Sequence, residues 1–81
     1  MTPEEMKKWR TALEVYCKGK VFLGYNKKGF ERYRPKSYRD LAEECGVPRM
    51  TAWRWLKIGA IAPFYRRYLL GRGIVKKEDV A

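Results

Sequence analysis

The chain has 81 residues, with nineteen Lys and Arg against nine Asp and Glu, a formal net charge of +10, no histidine and two cysteines. A chain of this length makes one domain that buries only roughly 60% of the surface its unfolded form exposes, so its core must be small, and twelve aromatic residues suit that demand. Without histidine, and with Cys17 and Cys45 far apart, zinc-ligand spacing is absent, while the longest mostly apolar run, IGAIAPFY, is far too short to cross a bilayer.

Catalysis is not expected either. Glu43 and Glu44 are adjacent and diverge on a helix, which makes a poor acid/base pair, and the glycines of GRG lack the strand-then-helix setting of a phosphate-binding loop. No cofactor is called for. The amino terminus, MTPEEMKKW, carries acids where a secretory signal would have a basic and then an apolar segment, so a cytoplasmic, nucleoid-associated location is expected.

The first element reads as a helix over 3–18. Thr2, Pro3 and Glu5 supply a cap, a first-turn proline and a capping-box acid. Met6, Trp9, Leu13, Tyr16 and Cys17 recur at spacings of three and four and line one apolar stripe, and Gly19 stops it. Core packing is the expectation for Trp9 and Tyr16. Cys17 and Cys45 both fall at apolar helical positions and read as buried free thiols of a reducing compartment.

In KVFLGYNKKGFERYRP, two segments rich in Val, Leu, Phe and Tyr flank an Asn- and Gly-containing turn, which predicts a β-hairpin over 21–34 with a basic ordered loop as the alternative. Gly24 interrupts its first strand. Lys27 and Lys28 at the tip suit a wing that touches a phosphate backbone, or they are simply solvated.

After Pro35 the pattern sharpens. Ser37 and Asp40 form a cap with an acid at the third helical position, opening a helix over YRDLAEEC, and Gly46 is placed to end it in the left-handed conformation. Pro48 fits only the start of another helix, because it has no amide hydrogen and its ring clashes deeper inside one. Two short helices joined by a tight glycine turn make a helix-turn-helix over 37–58.

The stretch SYRDLAEECGVPRMTAWRWLK resembles the helix-turn-helix of prokaryotic DNA-binding proteins, in particular the form ending in "RWLK" of transposases, serine-recombinase DNA-binding regions and phage repressors. The matching positions are Leu41, Ala42, Gly46, Val47, Ala52, Trp55 and Leu56. The resemblance implies that Ala42 lets the two helices cross closely and that the second helix enters the major groove of duplex DNA. Two positions depart from the pattern. Ala52 stands where a branched aliphatic residue is common, leaving room for Trp55, and Pro48 replaces the usual capping serine, leaving the second helix without a side-chain cap.

On that second helix Ala52, Trp55, Leu56 and Gly59 share the interior side, while Met50, Trp53, Arg54 and Lys57 recur on the other, with Arg49 near the start. Trp55 is then the core residue and Trp53 the outward one. Arginine can bridge guanine O6 and N7, and apolar groups can meet thymine methyls, so Arg49, Met50, Trp53, Arg54 and Lys57 are the candidate base readers. For Trp53, cover by the amino-terminal helix or hairpin and a dimer contact are the alternatives. Phosphate contacts are expected at the start of the first helix of the pair, from Lys36, Ser37, Tyr38 and Arg39, with Thr51 and the hairpin's Lys27 and Lys28 adding to them.

Pro63 is placed to open a last helix over 63–71, with Phe64, Tyr68 and Leu69 inward and Arg66 and Arg67 outward. The remainder, through IVKKEDV, is loosely similar to small Cro-type phage repressors. From Cys45 to Lys77 there is no acidic residue, while Arg49, Arg54, Lys57, Arg66, Arg67, Arg72, Lys76 and Lys77 accumulate, which points to a polyanionic partner. The expectation is therefore a mostly α, compact helix-turn-helix domain of four to five helices with a short hairpin. Such a domain would bind double-stranded DNA as a regulator of a phage or mobile element, and a homodimer is left open. A recombination or packaging accessory factor and an RNA or single-strand binder are the alternatives.

Overall fold

A computed structural model describes all 81 residues. The elements run α1 (Pro3–Cys17), β1 (Lys20–Tyr25), β2 (Glu31–Pro35), α2 (Tyr38–Cys45), α3 (Arg49–Ile58), α4 (Pro63–Gly71) and α5 (Lys77–Val80). The architecture is mostly α with one antiparallel hairpin, as expected, with α5 added as a single turn that packs on α1. No helix is long and apolar enough to cross a membrane.

Local chemistry sets the helix ends. The Thr2 hydroxyl accepts from the Glu5 amide and Pro3 occupies the first turn of α1. At α2 the Ser37 hydroxyl accepts from the Arg39 amide and the Asp40 carboxylate accepts from the Ser37 amide at 2.7 Å, a complete capping box. Gly46, at φ 66°, reverses the chain after α2. The Val47 amide then donates to the Ala42 carbonyl and the Gly46 amide to that of Glu43, so the helix's last carbonyls are satisfied inside the turn. As expected, Pro48 starts α3 with no side-chain cap.

One cluster of eleven buried residues joins the helices: Trp9, Ala12 and Leu13 from α1, Leu41 and Ala42 from α2, Ala52 and Trp55 from α3, Leu69 from α4, and Val47, Ile61 and Val75 from the connections. Fully buried Ala52 lies one turn before Trp55, whose ring packs on that of Tyr65 with centroids 5.2 Å apart. Gly59 ends α3 at φ 80°, and a β-carbon there would fall on the Met6 carbonyl. The first turn of α1 thus rests directly on the backbone at the end of α3.

The carboxy-terminal helix corrects the expected facing. Phe64 is 70% exposed, and Tyr65 takes the inward place beside Trp55, with Tyr68 half-buried and Leu69 fully buried. Arg67 is outward as expected. Arg66 is half-buried instead, with its guanidinium 3.9 Å from Glu5 of α1. Both faces of this helix satisfy a helical spacing, and the one that holds Tyr65 packs a tilted ring against Trp55.

The hairpin stands outside the core, with no buried residue in either strand. Its register pairs Val21 with Arg34, Phe22 with Tyr33, Gly24 with Arg32 and Tyr25 with Glu31, so Leu23 bulges out and Gly24 takes φ 108°. Asn26 organises the turn, its side-chain oxygen accepting from the Lys28 and Phe30 amides at 2.9 and 3.0 Å. Two links tie the hairpin to the helices. The Lys36 amide donates to the Gly19 carbonyl at 2.9 Å, and the Arg34 guanidinium donates to both carboxylate oxygens of Asp40 at 2.9 and 2.7 Å.

Candidate nucleic-acid interface

Helix α3 is amphipathic in the sense the spacing predicts. Ala52 and Trp55 are buried and Leu56 half-buried, whereas Arg49, Met50, Trp53, Arg54 and Lys57 are exposed on the other side. The five candidate base readers therefore lie on one solvent-facing surface. The two tryptophans differ as their spacing requires: Trp55 is 3% exposed and Trp53 39%. Trp53 is not free on every side, since it shares an open groove with Glu14 and Cys17 of α1, Lys18 just after it, Tyr38 of α2, and Leu56 and Lys57. Part of the ring is thus sheltered by α1, and the rest faces outward.

The start of α2 is differently arranged from the expected phosphate cluster. Both the hydroxyl and the amide of Ser37 donate to Asp40, and the hydroxyl also accepts from Arg39, so Ser37 acts as a cap with no donor left over. Arg34 and Ser37 together hold the Asp40 carboxyl far below the ordinary carboxylate range. Lys36 is half-buried, with its ammonium 4.5 Å from the centre of the Tyr16 ring. Tyr38 and Arg39 line a second groove with Arg34 and Ser37. Tyr38 borders both grooves and so stands between the Trp53 side of α3 and the surface at the start of α2 and the root of the hairpin.

Thr51 is half-buried beside Arg54, Trp55, Ile58 and Ala60, on the opposite flank of α3. Lys27 and Lys28 are exposed at the hairpin tip. Behind the surface a polar network braces α2. The Tyr16 hydroxyl donates to the Glu44 carboxylate, and burial together with that acceptor pushes the phenol above its ordinary value. The Tyr68 hydroxyl donates to the Glu44 carbonyl at 3.2 Å, and Arg72 lies 4.0 Å from the Glu44 carboxylate. Cys17 and Cys45 are free and half-buried rather than fully buried, and desolvation raises both thiols.

Sequence reasoning missed Arg34, whose partner Asp40 was visible only as a cap. It also missed the exposed aromatics of the hairpin, Phe22, Tyr25, Phe30 and Tyr33, each at least 50% exposed. Strand alternation alone would have put Phe22 and Tyr25 on opposite faces, and it is the bulge at Leu23 that brings Phe22, Tyr25 and Tyr33 onto one. Comparison of the chain with protein-family models, with curated proteins and with solved structures found no match.

Proposed function

We propose that the protein is a small sequence-specific binder of double-stranded DNA that inserts α3 into the major groove. The observation that carries the reading is the outward face of α3, where Met50, Trp53, Arg54 and Lys57 are exposed together with Arg49 on a helix that bears no acid and no amino-terminal side-chain cap. An α-helix fits the major groove, arginines there can pair with guanine, and Met50 and Trp53 offer apolar surface to thymine methyls. Tyr38, Arg39 and Lys36 at the start of α2 would meet the flanking phosphates, with the hairpin lysines further out. A role as a transcriptional regulator of a phage or mobile element follows from the resemblance of residues 37–57 to such helix-turn-helix segments. A recombination or packaging accessory factor would use the same contacts.

Selection on randomised duplexes tests the reading directly. Recovery of a defined motif supports it, and a two-fold symmetric motif adds dimeric binding. Uniform recovery of unrelated sequences would overturn sequence-specific readout.

A further inference from the structure

Three large aromatic residues stand together on the hairpin without touching the core. Phe22 is 50% exposed, Tyr25 67% and Tyr33 50%, and the Phe22 ring centre lies 5.4 Å from that of Tyr25 and 5.6 Å from that of Tyr33. They share a face because Phe22 opposes Tyr33 and Tyr25 opposes Glu31, two residues before Tyr33 on the same strand. The opposite face carries Val21, Arg32 and Arg34, and it is this side that reaches Asp40 at the start of α2. The aromatic face therefore looks away from the helices.

Cross-strand packing of Phe22 on Tyr33 stabilises the hairpin, but that role needs only one pair of rings. It leaves unexplained why Tyr25 adds a third ring, edge-on to Phe22 with planes at 78°, while remaining two-thirds exposed. The charges around these rings identify the occupant. Lys20 shares the aromatic face, Lys27 and Lys28 stand exposed at the adjoining turn, and the hairpin's one acid, Glu31, accepts from the Tyr33 hydroxyl, while Arg32 and Arg34 lie on the other face. Exposed rings edged by cations suit nucleobases, which stack on aromatic faces while their phosphates meet lysine and arginine.

We propose that the outer face of the hairpin, through Tyr25 and Phe22, is a stacking platform for unpaired nucleobases, a second nucleic-acid site distinct from the face of α3. The rings are tilted against one another, so each offers its plane to a separate base rather than to a continuous stack. The surface that runs from α3 past Tyr38 meets the hairpin at Arg34, on the face opposite the rings, so a frayed or single-stranded end of a duplex held on α3 would pass round the edge of the hairpin to reach them.

The test uses the full chain and three probes at one salt concentration: a blunt duplex, the same duplex with a six-nucleotide thymidine overhang, and the thymidine strand alone. The expected result is about tenfold tighter binding of the overhang than of the blunt duplex, the scale of one stacked base. Tyr25→Leu and Phe22→Leu keep an apolar side chain on the strand and should remove that increment while leaving blunt-duplex affinity in place. Bromodeoxyuridine in the overhang should crosslink to Tyr25 or Phe22 in the unaltered protein, a readout independent of whether a variant hairpin folds. Equal affinity for blunt and overhung duplexes, or crosslinks confined to Trp53 and Tyr38, would overturn the platform. Self-association abolished by Phe22→Leu, without any overhang increment, would overturn it in favour of a second copy of the chain. Binding of the thymidine strand with no duplex binding would sustain the platform and remove the α3 reading instead.

Discussion

Two tryptophans separated by one residue divide the labour of α3, and they should fail differently when truncated. Trp55, 3% exposed and packed against Tyr65, is a core residue, so Trp55→Ala should cost about 3–5 kcal/mol, much of the stability a domain this small has. Trp53, sheltered on one side only, should cost about 1 kcal/mol as Ala, a typical single-substitution value, while weakening DNA binding. Melting curves and binding isotherms on both variants decide the matter; equal loss of melting temperature would make Trp53 a core residue too. Gly59 is the most demanding position in the chain. Gly59→Ala combines a left-handed backbone with overlap on the Met6 carbonyl, so denaturant unfolding should reveal a loss of about 2–4 kcal/mol. The interior side of α3 was legible from spacing alone, including Gly59, but the reason Gly59 must be glycine was not. That reason lies in α1, and no local pattern announces a contact between segments so far apart in the chain.

At the scale of elements, Asp40 is where hairpin and helix are joined. Its carboxylate caps α2 through Ser37 and receives both arms of Arg34 from β2. Ser37→Ala removes the hydroxyl that caps α2 and donates to Asp40, keeps the amide bond to that carboxylate, and should cost about 1 kcal/mol, seen as a melting temperature lowered by several degrees. Acid acts on the joint as a whole. The Asp40 carboxyl titrates lower in the folded protein than in the unfolded chain, so its contribution is complete above the ordinary carboxylate range and is lost as pH falls towards the folded value. Melting temperature should therefore decline below about pH 4, and Asp40→Asn should flatten that part of the decline while lowering stability at neutral pH. An unchanged acid limb in Asp40→Asn would mean that other carboxylates set it. The capping box, the left-handed Gly46 and the uncapped start at Pro48 could all be read in the sequence, because each is decided within four or five residues. The facing of α4 could not. Phe64, Tyr68, Leu69 and Tyr65, Tyr68, Leu69 are both plausible helical stripes, and only the packing of α4 on Trp55, a contact from another element, separates them. The hairpin's existence was legible from its turn residues, but its bulge at Leu23 and its anchorage through Arg34 depend on pairing and on α2.

For the whole molecule, charge sets the terms of association. With about five phosphates neutralised, log affinity for duplex DNA should fall against log salt with a slope of roughly −4 to −5 per protomer, and a slope near zero in a salt titration would exclude the proposed binding mode. Arg54→Ala should lose more on a selected site than on a scrambled duplex, by about 1–3 kcal/mol, while Arg39→Ala should weaken both alike. The molecule measures 50 by 25 by 21 Å, and its core is built wholly from helices and their connections. The hairpin contributes nothing to that core, and the hydrogen bond from Lys36 to Gly19 closes its base like a clasp. Apart from Arg34, which holds Asp40, what lies between those two residues is therefore free to diverge in length and composition at small thermodynamic penalty, because closing a longer surface loop costs little once its ends are already held together. Selection can thus act on the excursion from Gly19 to Lys36 almost as on an interchangeable cassette, altering what the domain grips while the helices that aim α3 stay as they are.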